Sequence, residues 1–461
     1  MMLKHFSGLL LLIPFWLGAQ EVSLSGESPD YAGALLEVIL SDNPIIDRAL
    51  RHDSLRCNEK GRFQYSFPLE EARIMQIRTG IYDARLFVEP GKAYRLKLPP
   101  HRELAYEEVL SPYFQRSQIS LRPLEDPEDM NHRIFAFDSL FDISNDLIIT
   151  ARRLNKVLNL DSMILSLESG FETNSSAYFD RYRLYKYGIL RLNEGSTSLQ
   201  ELAETCLGPE IDEHNPAYLE LFSFMYRDFL FYYAQTPEGS ALRKLLNRAG
   251  SIDSIRHIIS RHPSIMSPQQ TDLVILASLA NVFHKGQYHK ESILRILDSL
   301  AADPVHPGIE KWSRQIKSSL ESLMIGYYPP SINSVWTKNL ENCRGKYVYL
   351  LFCTPEHYGC MMEYPFLQSY FQKHRDYLEV ITVMVGRNRE SVDQFMQRNG
   401  YSWKNIYYAD LPGILEAYRI RAFPTAYLLD RDGRLLQSPA ALPSDRFEEN
   451  LFRIMRSRKE L

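Results

Sequence analysis

At 461 residues the chain is long enough for about three domains, and 45% hydrophobic with 24% charged residues is ordinary for a soluble globular protein. A formal net charge of −4 with no basic stripe along the chain excludes the electrostatic footprint of a nucleic-acid binder. Five cysteines, Cys57, Cys206, Cys343, Cys353 and Cys360, are too few to staple a chain of this length, so stability must come from apolar cores.

The first residues read as an address. Lys4 and His5 precede the apolar run Leu9–Leu17, and Gly18 and Ala19 supply small residues ahead of Gln20, which is the plan of a signal peptide over 1–19 with cleavage after Ala19. The apolar run is too short for a membrane span, so no stable span is expected after its removal; an uncleaved anchor is the alternative. With no cysteine at the cleavage point a lipid anchor is not expected, and export to a bacterial periplasm fits best. In that oxidising compartment disulfides persist, and the odd number of cysteines leaves at least one thiol unpaired within the chain.

From Val22 to about Pro100 the hydrophobic period is two. Leu36, Val38 and Leu40, then Phe63, Tyr65 and Phe67, then Leu86 and Val88, then Tyr94, Leu96 and Leu98 alternate with polar residues, and Asn58-Glu-Lys-Gly61 and Glu89-Pro-Gly91 break the runs. The spacing predicts an antiparallel β-sandwich domain over 20–125. It carries no cluster of His, Asp or Glu at ligand spacing, so a structural or docking role is expected of it.

After Asp126-Pro127 the period becomes helical. Ile134, Phe137, Phe141, Leu147 and Ile148 fall on one face, and helix starts are announced at Asn215-Pro216, at Ser251-Ile-Asp253 and at Ser267-Pro-Gln-Gln270, where Ser267 caps and Gln270 completes a capping box. The pattern predicts an all-α middle domain of about seven or eight helices over 126–325. Its aromatic runs, Tyr178–Tyr187 and Leu221–Tyr233, have rings three and four apart, as packed cores do, and Arg227 with Asp228 excludes a membrane span for the second.

A linker, Gly326-Tyr-Tyr-Pro-Pro-Ser331, leads into a third domain over 326–461. Val348, Leu350 and Phe352 alternate in a run that reads as a buried strand ending at Thr354-Pro355, and Met361, Met362, Tyr364, Phe366 and Leu367 read as a helix following on it. Leu378–Val385 and Ile406–Tyr408 are further strands, Ser391–Arg398 and Ile414–Tyr418 helices, Ala426–Leu429 and Arg434–Gln437 a hairpin around Asp432-Gly433, and Phe447–Ser457 a closing helix. Arg453, Arg456, Arg458 and Lys459 stand in its last turns, where cations complement the helix dipole.

This third domain resembles the TlpA and ResA group of thiol-disulfide oxidoreductases, which have a thioredoxin fold. Phe352, Cys360, Glu363, Pro365 and Leu367 match that family's strand, Cys-x-x-Cys and x-x-Glu-x-Pro-x-Leu pattern. Arg344-Gly-Lys346 resembles its turn before the central strand, and Phe423-Pro424-Thr425 its cis-proline loop. The β domain also resembles a module often found ahead of such domains, through Gly61-Arg-Phe63 and the Glu-Pro-Gly turn.

The resemblance implies a catalytic dithiol, and here the motif departs. His357 stands at the family's attacking cysteine, leaving Cys360 in the position of the resolving thiol; Cys353 and Glu356 replace tryptophans, and Leu351 stands where relatives often have a buried polar residue. Exchange with a client disulfide needs an exposed thiolate and a second thiol to release the mixed disulfide. An imidazole cannot attack sulfur, so dithiol activity is not expected. Cys353 is a candidate partner for Cys360, although six residues lie between them and a strand residue points into the sheet. His357 lowering the pKa of Cys360 would make a monothiol site. His357 with Cys360 is half a metal site and nothing elsewhere offers the rest, so neither metal nor cofactor is expected. The arrangement that activates a peroxiredoxin thiol is absent. In relatives the residue before the cis-proline, here Phe423, offers its backbone to an extended peptide, a contact that needs no thiol. The expected function is therefore a protein-binding or assembly module, the alternative a divergent oxidoreductase working through Cys360, perhaps with Cys353.

Overall fold

The computed structural model describes residues 19–460, apart from 42–44, 46–48, 103, 112–113, 172–175, 249 and 412. The apolar run Leu9–Leu17 lies outside the described residues. These divide into two compact units, one within Met1–Arg102, Arg116–Arg243 and Asp253–Asn281, the other within Glu103–Gln115, Lys244–Ile252 and Val282–Leu461.

The first unit begins with eight strands: β1 (Gln20–Glu27), β2 (Leu35–Ser41), β3 (Ala49–Arg56), β4 (Arg62–Leu69), β5 (Arg73–Thr79), β6 (Tyr82–Val88), β7 (Ala93–Leu96) and β8 (Ser117–Ser120). They form two sheets, ordered β4-β1-β7 and β3-β2-β5-β6-β8. Alternation sends Val22, Leu24, Phe63, Phe67, Tyr94 and Leu96 of the first sheet into one core with Val38, Met75, Ile77, Leu86 and Val88 of the second. The pairing is not purely antiparallel, as the sequence suggested: β1 runs parallel to β7, and β6 parallel to β8. A tight turn forces antiparallel pairing only on strands that are neighbours in the chain, and neither pair is. At the turn before β4 the carbonyl of Gly61 accepts from Ser28 N, and its φ of 73° with the Ser28 backbone 2.2 Å from where a Cβ would sit admits only glycine.

Residues 126–325 are helical. Helix Met130–Arg153 buries Ile134, Phe137, Phe141 and Ile148. Leu147, expected on the same face, is exposed because it lies a hundred-degree step away from Ile148 around the helix. The helix Ala177–Glu194 is capped by Ser176, and Pro216–Tyr226 by Asn215 with Pro216 in its first turn. Ser267 Oγ accepts from Gln270 N at 3.2 Å as expected of a cap, but the Gln270 side chain reaches back to Met266 N at 2.9 Å, one residue before the box position. The aromatic runs pack as core: Phe179, Tyr182, Tyr185 and Tyr187 are buried, as are Tyr218, Phe222, Tyr226, Phe229 and Tyr233. Eleven α-helical segments occur here among the described residues, more than expected, because Leu199–Leu202, Phe229–Tyr233 and Ala241–Asn247 are too short to leave a periodic signature.

The second unit contains the sheet that positions the candidate site. Its strands β9 (Tyr347–Cys353), β10 (Leu378–Met384), β11 (Lys404–Tyr407), β12 (Thr425–Leu429) and β13 (Leu435–Gln437) lie in the order β11-β10-β9-β12-β13. β9, β10 and β11 are parallel, and β12 is antiparallel to both β9 and β13. Every residue of β9 is buried, since each face of the sheet carries its own core. Tyr347, Tyr349, Leu351 and Cys353 meet Tyr364 and Leu367 of the helix Tyr358–His374 and Phe447 and Leu451 of the helix Phe447–Ser457. Val348, Leu350 and Phe352 meet Trp336, Tyr418 and Tyr427 on the other side. Trp336 belongs to a helix, Ser334–Glu341, that the sequence reading missed; Asn333 caps it, and the indole donates to Pro330 O and Tyr418 Oη, both at 3.2 Å.

Candidate functional site

β9 ends at Cys353, the chain turns through Thr354, Pro355 and Glu356, and the helix Tyr358–His374 begins with His357 as its N-cap residue. The turn is pinned locally: Thr354 Oγ1 donates to Glu356 Oε2 at 2.8 Å, and Met361 N donates to His357 O at 3.1 Å. The imidazole of His357 is exposed and makes no side-chain cap bond. A Cβ built on Gly359 would sit 3.1 Å from that ring and 3.4 Å from the Pro424 ring, so the exposed histidine and the proline loop converge on the backbone of Gly359. Peptide bond Phe423–Pro424 is cis. Thr425 opens β12 opposite Phe352 and donates its hydroxyl to Ala422 O at 2.6 Å. Phe423 is half-buried and packs against both cores of the sheet.

The sulfur atoms sit elsewhere. Cys360 has 0% exposure, and its Sγ accepts from Thr354 N at 3.2 Å, so the thiol faces the interior under the first helical turn. Cys353 is equally buried, and its thiol adjoins that of Cys360. Alternation along β9 sends residues 347, 349, 351 and 353 to the sheet face that the helix covers, where Cys360 also points. Burial, then the adjoining Cys360, holds the Cys353 thiol well above its usual range, so it stays protonated. The hydroxyl of Tyr364, buried and without a well-formed hydrogen bond, faces the same pair. All five cysteines are free and buried.

Glu363 is the one carboxylate buried in this helix. It accepts from Ser444 N at 2.8 Å and from Ser444 Oγ at 2.7 Å, which ties the helix to the segment ahead of Phe447. Among the described residues no group of three or more His, Cys, Asp or Glu is placed to hold a metal ion.

Part of the helix's apolar pattern is a surface. Met361, Met362 and Phe366 belong to the apolar spacing that predicts the helix; with Tyr358, which is 77% exposed, they lie on its solvent side, and Phe366 is 44% exposed. The helix is apolar nearly all round, so spacing alone could not separate its two faces. Tyr364 and Leu367, the other two residues of that pattern, are fully buried.

Comparison with known proteins places this region. A family model described as thioredoxin-like matches residues 345–435. The chain is 30% identical over 103 residues to the thiol-disulfide oxidoreductase ResA of Geobacillus kaustophilus (strain HTA426), an alignment covering 21% of this chain and 56% of that protein, so the chain spans just over half of its relative's length. Similar solved structures include a thiol:disulfide interchange protein from Bacteroides sp., with 26% identity and a TM-score of 0.23 over 25% of this chain and 80% of that one. StoA from Bacillus subtilis has 22% identity and a TM-score of 0.21 over 23% of this chain and 84% of that one.

Proposed function

We propose, from a C-terminal domain that belongs to the TlpA/ResA-like thioredoxin-fold family of thiol-disulfide oxidoreductases, that this protein is exported and uses that domain to bind a protein or extended peptide rather than to exchange disulfides. One observation carries the reading: the exposed position at the helix N-terminus is the imidazole of His357, while the nearest sulfurs, Cys360 and Cys353, are sealed beneath it. Exchange begins with an accessible thiolate, and neither thiol meets that requirement.

What remains accessible suits binding. The Phe423-Pro424-Thr425 loop lies against Gly359 and His357, and the same helix end presents Tyr358, Met361, Met362 and Phe366 to solvent. Methionines and aromatics adapt to varied apolar side chains, and the backbone beside a cis-proline pairs with an extended chain. The N-terminal sheets sharing one core support a β-sandwich over 20–125, with a helical domain over 126–325 and the thioredoxin-like domain over 326–461. Export rests on the signal-peptide plan of residues 1–19. β1 begins at Gln20, so cleavage after Ala19 removes no described strand or helix. Among the described residues no helix is long and apolar enough to cross a membrane.

A second reading, a divergent oxidoreductase, is favoured by the contact between the Cys353 and Cys360 thiols. In it a client disulfide would take two electrons and two protons and leave the pair joined, which requires the helix end to lift away. Thiol labelling with peptide mapping on the native protein, together with a disulfide-reduction assay on wild type and Cys360→Ala, separates the two. The binding reading expects Cys360 unlabelled and no reductase rate above that of Cys360→Ala. A rate that the substitution abolishes would establish the enzyme instead.

A further inference from the structure

The first unit holds a cleft of about 1170 Å3, lined on one side by β5, β6 and β8 and on the other by the helices Met130–Arg153, Ala177–Glu194 and Pro216–Tyr226. The sheet residues facing it come mostly from the side away from the core, since Met75, Ile77 and Leu86 point inward while Ile74, Gln76, Arg85 and Phe87 point out. The helical wall is fixed to this sheet by Asn131, whose amide group accepts from Phe87 N at 2.7 Å and donates to Phe87 O at 2.9 Å.

The two walls differ in charge: arginines stand on the sheet side, and carboxylates interspersed with Lys186, His214 and Arg227 on the helical side. Arg73 and Arg85 line the sheet side, and neither has an ion pair among the described residues; the Nε of each is shut off from solvent without an acceptor there. A buried N–H without an acceptor is costly. Arg78, on the same sheet, pairs with Glu37 at 3.0 Å and Asp83 at 3.4 Å. Across the cleft Asp142 has no ion pair among the described residues, and Asp138 accepts the Tyr182 hydroxyl on both oxygens, at 2.8 and 2.9 Å. Lys186 stands on the same wall, its ammonium held by Glu220 at 2.7 Å while its charge also favours the ionised form of Asp138, which leaves Asp142 as the carboxylate open to a ligand cation. Apolar side chains of Ile39, Ile74, Phe87 and Ile134 lie between the charged groups.

We propose that this cleft binds a short peptide with free termini, its carboxylate on Arg73 and Arg85 and its ammonium group toward Asp142. Guanidinium forks match a carboxylate in two parallel hydrogen bonds, the glutamine amides suit peptide groups, and the volume exceeds that of a single small metabolite. The site is independent of the thioredoxin-like domain and of the function proposed for it.

The test uses the full chain as produced, with native mass spectrometry after incubation with three pools of random tripeptides: free termini, amidated C-termini and acetylated N-termini. The free pool is expected to be retained at least about tenfold over either blocked pool. Arg85→Gln should erase the preference for a free carboxylate, and Asp142→Asn, on an exposed helix face and so no threat to folding, the preference for a free amine. Retention of blocked and free pools alike, retention of none, or displacement of bound peptide by inorganic phosphate at equal concentration would overturn the proposal.

Discussion

Cys360 shows how far position within one turn of helix decides the fate of a thiol. His357 takes the N-cap place and Cys360 the third residue inward, where it accepts a backbone N–H and meets no solvent. A thiol in that setting is a small core side chain, so Cys360→Ala should cost about 1 kcal/mol in chemical denaturation through lost packing and the orphaned Thr354 N–H. A loss of binding with unchanged stability would instead give the sulfur a direct role. Asp138 has the opposite problem, an ionisable group where charge is disfavoured. Burial pushes its carboxyl from 3.8 up to about 6. Because the folded state holds this proton more tightly than the unfolded chain, the stability it contributes is complete below pH 3.8 and is lost as pH rises through about 6. Asp138→Asn has no such loss. The variant's stability relative to wild type should therefore improve by roughly 2 kcal/mol between pH 4 and pH 7, at about 1.4 kcal/mol per pKa unit. Parallel denaturation curves at the two pH values check this, and a constant difference would show that Asp138 keeps its ordinary pKa. Neither residue's environment was legible in the sequence: Cys353 and Cys360 meet only because β9 and the following helix pack face to face, and the partners of Asp138 come from another helix.

At the scale of elements the sequence was a good guide wherever one period dominated. The closing helix Phe447–Ser457 follows the expected range, and β9 and the helix Arg389–Arg398 follow it closely, because turn residues and apolar spacing agree there. β3 and β5 escaped, since Arg51, His52, Arg73 and Arg78 interrupt the alternation that marks a half-buried strand. The helix Tyr358–His374 was legible in its existence but not in its orientation, for it is apolar on both sides. Its docking depends on a polar contact. Glu363 is buried, and the two Ser444 donors have its carboxylate as their acceptor. Glu363→Ala removes the acceptor of both Ser444 donors and should destabilise the protein by about 1–2 kcal/mol, with Glu363→Gln, which retains one acceptor oxygen, losing about half as much. Urea denaturation measures both, and equal losses would assign the effect to packing rather than to the hydrogen bonds.

Across the whole molecule the same economy recurs: free cysteines and tyrosines, polar at one end, are placed in apolar cores rather than at reactive surfaces. Burial raises the pKa of Tyr182, Tyr218 and Tyr226 in the helical region and of Tyr349, Tyr364 and Tyr418 around the C-terminal sheet. The five cysteines are all buried as well, and Cys353 is shifted in the same direction. For each group the protonated form is favoured by folding, so its contribution to stability is complete below the ordinary value, 10.0 for tyrosine, and is lost as pH rises through the higher folded value. Deprotonating such a phenol inside the fold means burying an unpaired anion, whereas unfolding delivers it to water. The titration of these rings is thereby coupled to the unfolding of the cores that hold them. Raising pH past the ordinary tyrosine range should release the buried rings in a steep step coincident with loss of helical circular dichroism. Tyrosinate absorbance and circular dichroism followed on the same samples check the coupling, and a single gradual titration that leaves the helical signal intact would mean that these cores admit water.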